Sequence, residues 1–100
     1  MILFEWDDAK ARSNDRKHGV SFELARSVFL DEFALIEQDR VVDGERRWRT
    51  IGAVGASAVL FVAHTLEEKG EHELVRIISA RRATPTERTS YGKNRKKHAS

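Results

Sequence analysis

Val75-Arg76-Ile77-Ile78-Ser79-Ala80-Arg81-Arg82-Ala83-Thr84-Pro85-Thr86-Glu87-Arg88-Thr89-Ser90-Tyr91 decides how this chain is read. The first half, rich in β-branched residues, is strand; the second half opens as a helix. Thr84 is its cap, Pro85 takes the first helical position, and Glu87 falls where a capping box needs it. Gly92 is the expected helix end, leaving 1–92 as a single domain and 93–100 as a basic, frayed tail. Arg81 and Arg82 stand at the joint, where packing in a small domain calls for no adjacent guanidiniums. A guanidinium is a planar fork of donors that fits phosphate. A strand end that delivers such forks beside a helix N-terminus is a candidate phosphate or RNA site.

Working outward, Ile2, Leu3 and Phe4 form a first strand, and Asp7 or Asp8 caps a helix that Gly19 stops. Ser21 caps a second helix with Phe22, Ala25, Val28 and Phe29 as its buried stripe. Phe33–Glu37 is the second strand and Gln38–Glu45 a polar, acidic loop. Arg47–Val54 is the third strand, with Trp48 and Thr50 on one side and Arg47, Arg49 and Ile51 on the other. Ala58–Thr65 is apolar on both faces, the mark of a central strand. Glu67–Glu71 is a turn and His72–Ala80 the fifth strand, whose alternation places Arg76 beside Ile78 and Ala80. The order β-α-α-β-β-β-β-α defines an α+β domain with an antiparallel-dominated sheet and helices packed on it.

Composition narrows the classes. One hundred residues, 40% apolar with one proline, suit one globular domain with one core. The absence of cysteine excludes disulfides and thiolate metal sites and is compatible with a reducing, cytoplasmic setting. The first residues turn acidic after Phe4, unlike a signal peptide, and the longest apolar run, Ala58–Ala63, is too short to span a bilayer. The net charge of +2 is unevenly placed. Residues 1–75 hold 10 Lys and Arg against 15 Asp and Glu, whereas residues 76–100 hold 8 against 1. A basic carboxy-terminal quarter points to an anionic partner there.

No histidine pair has metal-ligand spacing, and no P-loop, dinucleotide fingerprint or nucleophile elbow is present, so no cofactor or metal is expected. RNA can be cut without either, because its 2′-hydroxyl supplies the nucleophile. The protein must orient the backbone, stabilise charge on phosphorus and move two protons. Arg76, Arg81, Tyr91 and His64 are the candidate catalytic residues, and Arg47, Arg49 and Arg82 the candidate RNA contacts. Each also has a structural reading. Arg76 suits an ion pair with an acid such as Glu37, His64 a satisfied core histidine, and Tyr91 a ring packed on the sheet. Glu87 already serves the capping box. A nuclease site here requires the guanidiniums to converge in one solvent-open cavity; guanidiniums that are scattered, or each engaged by a neighbouring acid, would leave only a family likeness to support it. The alternatives are a non-catalytic RNA-binding domain and a protein-interaction domain. The helix from Ser21 is too apolar to read DNA.

Phe4-Glu5-Trp6-Asp7, His18-Gly19-Val20-Ser21-Phe22, Arg47-Trp48-Arg49-Thr50-Ile51-Gly52, His64-Thr65 and Val75–Tyr91, in this order, resemble the BrnT family. Those proteins are ribonuclease toxins of bacterial type II toxin–antitoxin modules, with a RelE-like fold. The resemblance implies a metal-independent endoribonuclease that cleaves RNA and inhibits translation. It also implies a cognate BrnA-type antitoxin and a toxin–antitoxin hetero-oligomer. Arg47, His64, Arg76, Arg81 and Tyr91 match the family pattern position by position.

Overall fold

The computed structural model describes residues 1–99. The elements are β1 (Ile2–Glu5), α1 (Asp8–His18), α2 (Phe22–Arg26), a 3-10 turn (Ser27–Leu30), β2 (Leu35–Val42), β3 (Glu45–Val54), β4 (Ala58–His64), β5 (Glu67–Lys69), β6 (His72–Arg82) and α3 (Pro85–Ala99). The local signals act as their chemistry requires. Asp7 accepts from the Lys10 N–H and Ser21 from the Leu24 N–H, so each helix begins where a side chain satisfies an orphan donor. The strands form one mixed sheet, β1-β6-β4-β3-β2, with β5 folded back on β6 as a hairpin. Only β1 runs parallel to its neighbour; the other pairings are antiparallel.

Three expectations change. Gln38–Glu45 is not a loop: β2 runs on to Val42 and turns into β3 through Asp43 and Gly44, with φ of 50° and 79°. Positive φ at both turn residues is the two-residue hairpin geometry that Asp-Gly favours. Glu67–Lys69, read as turn, pairs with His72–Leu74 as β5. Gly92 does not end the last helix, so residues 93–99 belong to α3 rather than to a frayed tail; Ser100, assigned to the same tail, lies outside the described residues. A helical glycine costs about 1 kcal/mol, and docking outweighs it here. Asn94 Nδ2 donates to the Phe33 carbonyl at 3.0 Å, and the Arg95 guanidinium lies 5.6 Å from the Phe33 ring centroid.

The main core fills one side of the sheet. Leu60 and Val62 of β4 and Val75, Ile77 and Ala80 of β6 pack against Val20, Phe22, Ala25 and Val28. Helical cover comes so close to β3 that a Cβ on Gly52 would sit 3.0 Å from Val28 Cβ and 3.1 Å from its carbonyl oxygen. On the other side α3 lies against β3, and Ile51 and Tyr91 are buried outside the main cluster. No helix among the described residues is long and apolar enough to cross a membrane.

A bulge in β6 decides which of its side chains share a face. Ala63 pairs with Ser79 but His64 pairs with Ile77, so Ile78 is an extra residue opposite β4. Ahead of it, Val75 and Ile77 face the core and Arg76 faces away. Beyond it, Ala80 faces the core and Arg81 faces away. Unbroken alternation would have separated Arg76 from Arg81 and placed Arg76 with Ala80; the bulge corrects that expectation.

Asn14 ties α1 to this strand. Its Nδ2 donates to the carbonyls of Val20 and Ala80 at 3.0 and 2.8 Å, and its Oδ1 accepts from the Ala80 N–H at 3.1 Å. Truncation leaves buried backbone groups without partners. Asn14→Ala is expected to lower unfolding stability by roughly 2–4 kcal/mol in urea denaturation, with the larger loss expected relative to any exposed α1 substitution.

Candidate functional site: an arginine-lined sheet face

Register alone sets the open face. Arg47 and Arg49 alternate outward on β3 with Ile51; Phe61 and Ala63 do so on β4, and Ser79 and Arg81 on β6. Arg76 joins them below the bulge. Four guanidiniums from two strands therefore share one side of the sheet, opposite the main core.

Each of them meets an acid. Arg81 donates from Nη1 and Nη2 to the two carboxylate oxygens of Glu87 at 2.8 and 3.0 Å, and stacks 4.1 Å from the Phe61 centroid. Glu87 is also the capping-box acid: Oε1 accepts from the Thr84 N–H, and Thr84 Oγ1 accepts from the Glu87 N–H. The anion at the N-terminus of α3 is thus the chain's own carboxylate. Arg81 holds that carboxyl below its usual range; burial opposes the effect and Thr84 adds to it. Hydrogen bonding to Glu87 likewise raises the Arg81 pKa, against burial. Arg76 Nη2 lies 2.6 Å from Glu45 Oε1, and Arg47 Nε lies 3.5 Å from the same oxygen. Arg49 Nη2 lies 3.3 Å from Glu37 Oε1. The partner expected for Arg76 was Glu37; its partner is Glu45, because β4 ends at His64 and leaves Glu45 free to reach β6.

The expected convergence in one cavity is not found: the face is an open surface, and each guanidinium is engaged by a neighbouring acid. Its pairs are partly solvated, with side-chain exposure of 41% for Arg76, 39% for Arg49 and 25% for Arg47. Exposed pairs of this kind contribute only about 0–1 kcal/mol each, so a phosphate can replace the acid. The Nε groups of Arg47 and Arg49 make no hydrogen bond although solvent does not reach them. Closed to solvent, these two Nε groups are not available to a ligand as placed, and the Nη groups are the accessible donors.

Three candidate residues fall outside the face. His64 is 1% exposed and lies on the core side, its ring edge-on to Phe29 at 5.0 Å. Its Nδ1–H donates to the Thr65 carbonyl at 2.9 Å, so Nε2 must accept from the Thr50 hydroxyl at 2.7 Å. Burial lowers its pKa, opposed by the Thr65 bond. The imidazole is thus enclosed on the core side with both nitrogens engaged, away from the arginine face. Tyr91 is 5% exposed, and its hydroxyl donates to Asp31 Oδ2 at 2.6 Å. It anchors α3 and presents no hydroxyl to a substrate. Arg82 follows Ala80 on the other side at the end of β6, and its carbonyl accepts from Arg81.

Two residues were not singled out by their sequence context. Asp31 accepts from Tyr91, from the Ala53 N–H at 2.8 Å and from the Phe33 N–H at 3.0 Å, joining a loop, β3 and α3. Burial pushes its carboxyl up, but those three bonds and Arg95 outweigh it and hold it below the usual value. Glu45 is the other, and only its position just after Asp43-Gly44 marks it. Among the described residues no three His, Cys, Asp or Glu side chains gather as a metal site.

This small α+β domain, with guanidiniums on one sheet face, matches a model described as the ribonuclease toxin, BrnT, of type II toxin–antitoxin systems, over residues 6–87. The class is therefore the toxin component of a type II toxin–antitoxin system. Within it, the chain belongs to the BrnT family. It is similar to the Brucella abortus ribonuclease toxin BrnT, known from a 1.1 Å crystal structure, at 25% identity and a TM-score of 0.57, over 84% of this chain and 97% of that one. No curated protein matches the sequence.

Burial and the Asp31 carboxylate push the Tyr91 phenol up to about 12 from 10.0. The raised value favours the folded state below pH 10, and that contribution drains away as pH rises toward the folded pKa. Tyr91 is the only tyrosine in the chain, so phenolate absorbance reports it alone. The expected midpoint lies near 12 in the native protein, and Asp31→Asn moves it downward.

Proposed function

We propose that this chain is a metal-independent endoribonuclease that cleaves RNA on the arginine face of its sheet and thereby inhibits translation. The observation that carries the reading is membership of the BrnT family; Arg47, Arg49, Arg76 and Arg81 share one side of the sheet, but each is engaged by a neighbouring acid. The ion pairs with Glu37, Glu45 and Glu87 lower the standing charge of that face. Family membership therefore carries the proposal, and the geometry is compatible with it.

Phosphodiester binding replaces carboxylates with phosphate oxygens at Arg49 and Arg76, whose pairs are partly solvated, while Arg47, paired through an Nε closed to solvent, meets phosphate through its Nη groups. Arg81, held bidentately by Glu87 at a helix start, fixes the strand–helix junction and adds its positive charge beside the same backbone. In-line attack by the RNA's own 2′-hydroxyl needs no bound ion; guanidiniums stabilise the pentacoordinate phosphorus. A type II toxin implies an antitoxin. We assign that role to a BrnA-type protein forming a hetero-oligomer in the cytoplasm. An antitoxin with acidic groups would meet the same arginines.

Purified protein incubated with RNA in EDTA is expected to yield fragments ending in cyclic or 3′-phosphate. Cleavage only after Mg²⁺ addition would overturn metal independence. Salt-sensitive binding without cleavage would favour the RNA-binding alternative. Arg76→Ala and Arg47→Ala are each expected to lower cleavage by roughly 100-fold or more while circular dichroism stays unchanged, whereas His64→Ala is expected to lose stability along with activity.

A further inference from the structure

We infer that Glu45 takes the proton from the attacking 2′-hydroxyl. This rests on the ribonuclease reading above. A nuclease without a metal needs a proton acceptor, and the groups best suited by type are withdrawn: His64 is enclosed on the core side, and Tyr91 donates to Asp31. The acceptor is sought on the open face, where three carboxylates are ion-paired with the arginines; Glu5, the register partner of Arg76, and Glu67 lie on the same side without bridging two arginines.

These carboxylates are not equivalent. Glu87 has both oxygens bonded to Arg81, and one also to the Thr84 N–H. Glu37 touches one guanidinium from edge strand β2. Glu45 stands between Arg47 of its own strand and Arg76 of β6, and both contacts fall on Oε1. Among the described residues Oε2 has no hydrogen-bond partner, and the side chain is 41% exposed. A phosphate gripped by Arg47 and Arg76 displaces Oε1 from between them, and the carboxylate remains beside the phosphate, where the vicinal 2′-oxygen lies.

The step balances. The 2′-O–H proton passes to the Glu45 carboxylate as the 2′-O–P bond forms. The P–O5′ bond breaks, and the 5′-oxygen takes a proton from solvent water. Glu45 then returns its proton to solvent, leaving a 2′,3′-cyclic phosphate and a 5′-hydroxyl.

Cleavage of a short RNA in EDTA, and affinity for its uncleavable 2′-O-methyl analogue, test the inference with full-length protein. E45Q is expected to lose roughly 100-fold or more in kcat, to bind the analogue at least as tightly, and to lose the acid limb of its pH–rate profile. E45D, which keeps the carboxylate, is expected to retain that limb and serves if E45Q does not fold. E45Q cleaving as fast as wild type, or faster, would mean that Glu45 only screens the arginines. E37Q losing the acid limb instead would move the role to Glu37. Either result overturns the inference while wild-type cleavage stands; a wild-type protein that cuts nothing defeats the nuclease reading itself.

Discussion

One extra residue in β6, Ile78, decides which side chains can act together. A strand presents alternate residues to opposite faces, so positions 76 and 81 would diverge. The bulge resets the alternation between them. It keeps Val75, Ile77 and Ala80 in the core and turns both arginines to the other side. Core packing and the arginine face are thus satisfied by a single departure from regular pairing, next to the point where β4 ends. That ending matters too. With no β4 residue in the way, Glu45 spans from β3 to Arg76 and links the hairpin end of the sheet to its centre.

The second organising contact is Asp31. α3 carries few apolar residues, and the interactions that dock it are largely polar: Tyr91 on Asp31, Asn94 on the Phe33 carbonyl, and Glu87 on Arg81. Glu87 performs two tasks with one carboxylate. It closes the capping box of α3 and it orients Arg81. The helix start and the guanidinium therefore share a partner, and neither can shift alone.

Much of the fold was legible in the sequence because its causes are local. The caps at Asp7 and Ser21, the Thr84–Glu87 box and the two-sided apolar strand at Ala58–His64 follow from neighbouring residues. The Asp43-Gly44 turn was also written there, but the polarity of residues 38–45 reads as loop. An edge strand with one solvated side produces the same composition. Two features had no local signature. The bulge arises from pairing between β4 and β6, and Asp31 and Tyr91 meet across 60 residues. For the candidate site, the arginines stood out by residue type, whereas the face of Arg76, the side taken by Arg82, the acids opposite the guanidiniums and the burial of His64 depend on the folded sheet.

The sheet works as a partition. Side chains on one side build the main core, and the other side carries the partly solvated arginine pairs beside the α3 contact with Ile51 and Tyr91. Core packing and surface charge are thereby assigned to alternating positions of the same strands. A lineage carrying this scaffold is free to remodel its charged side in response to a changing target without eroding the foundation beneath it.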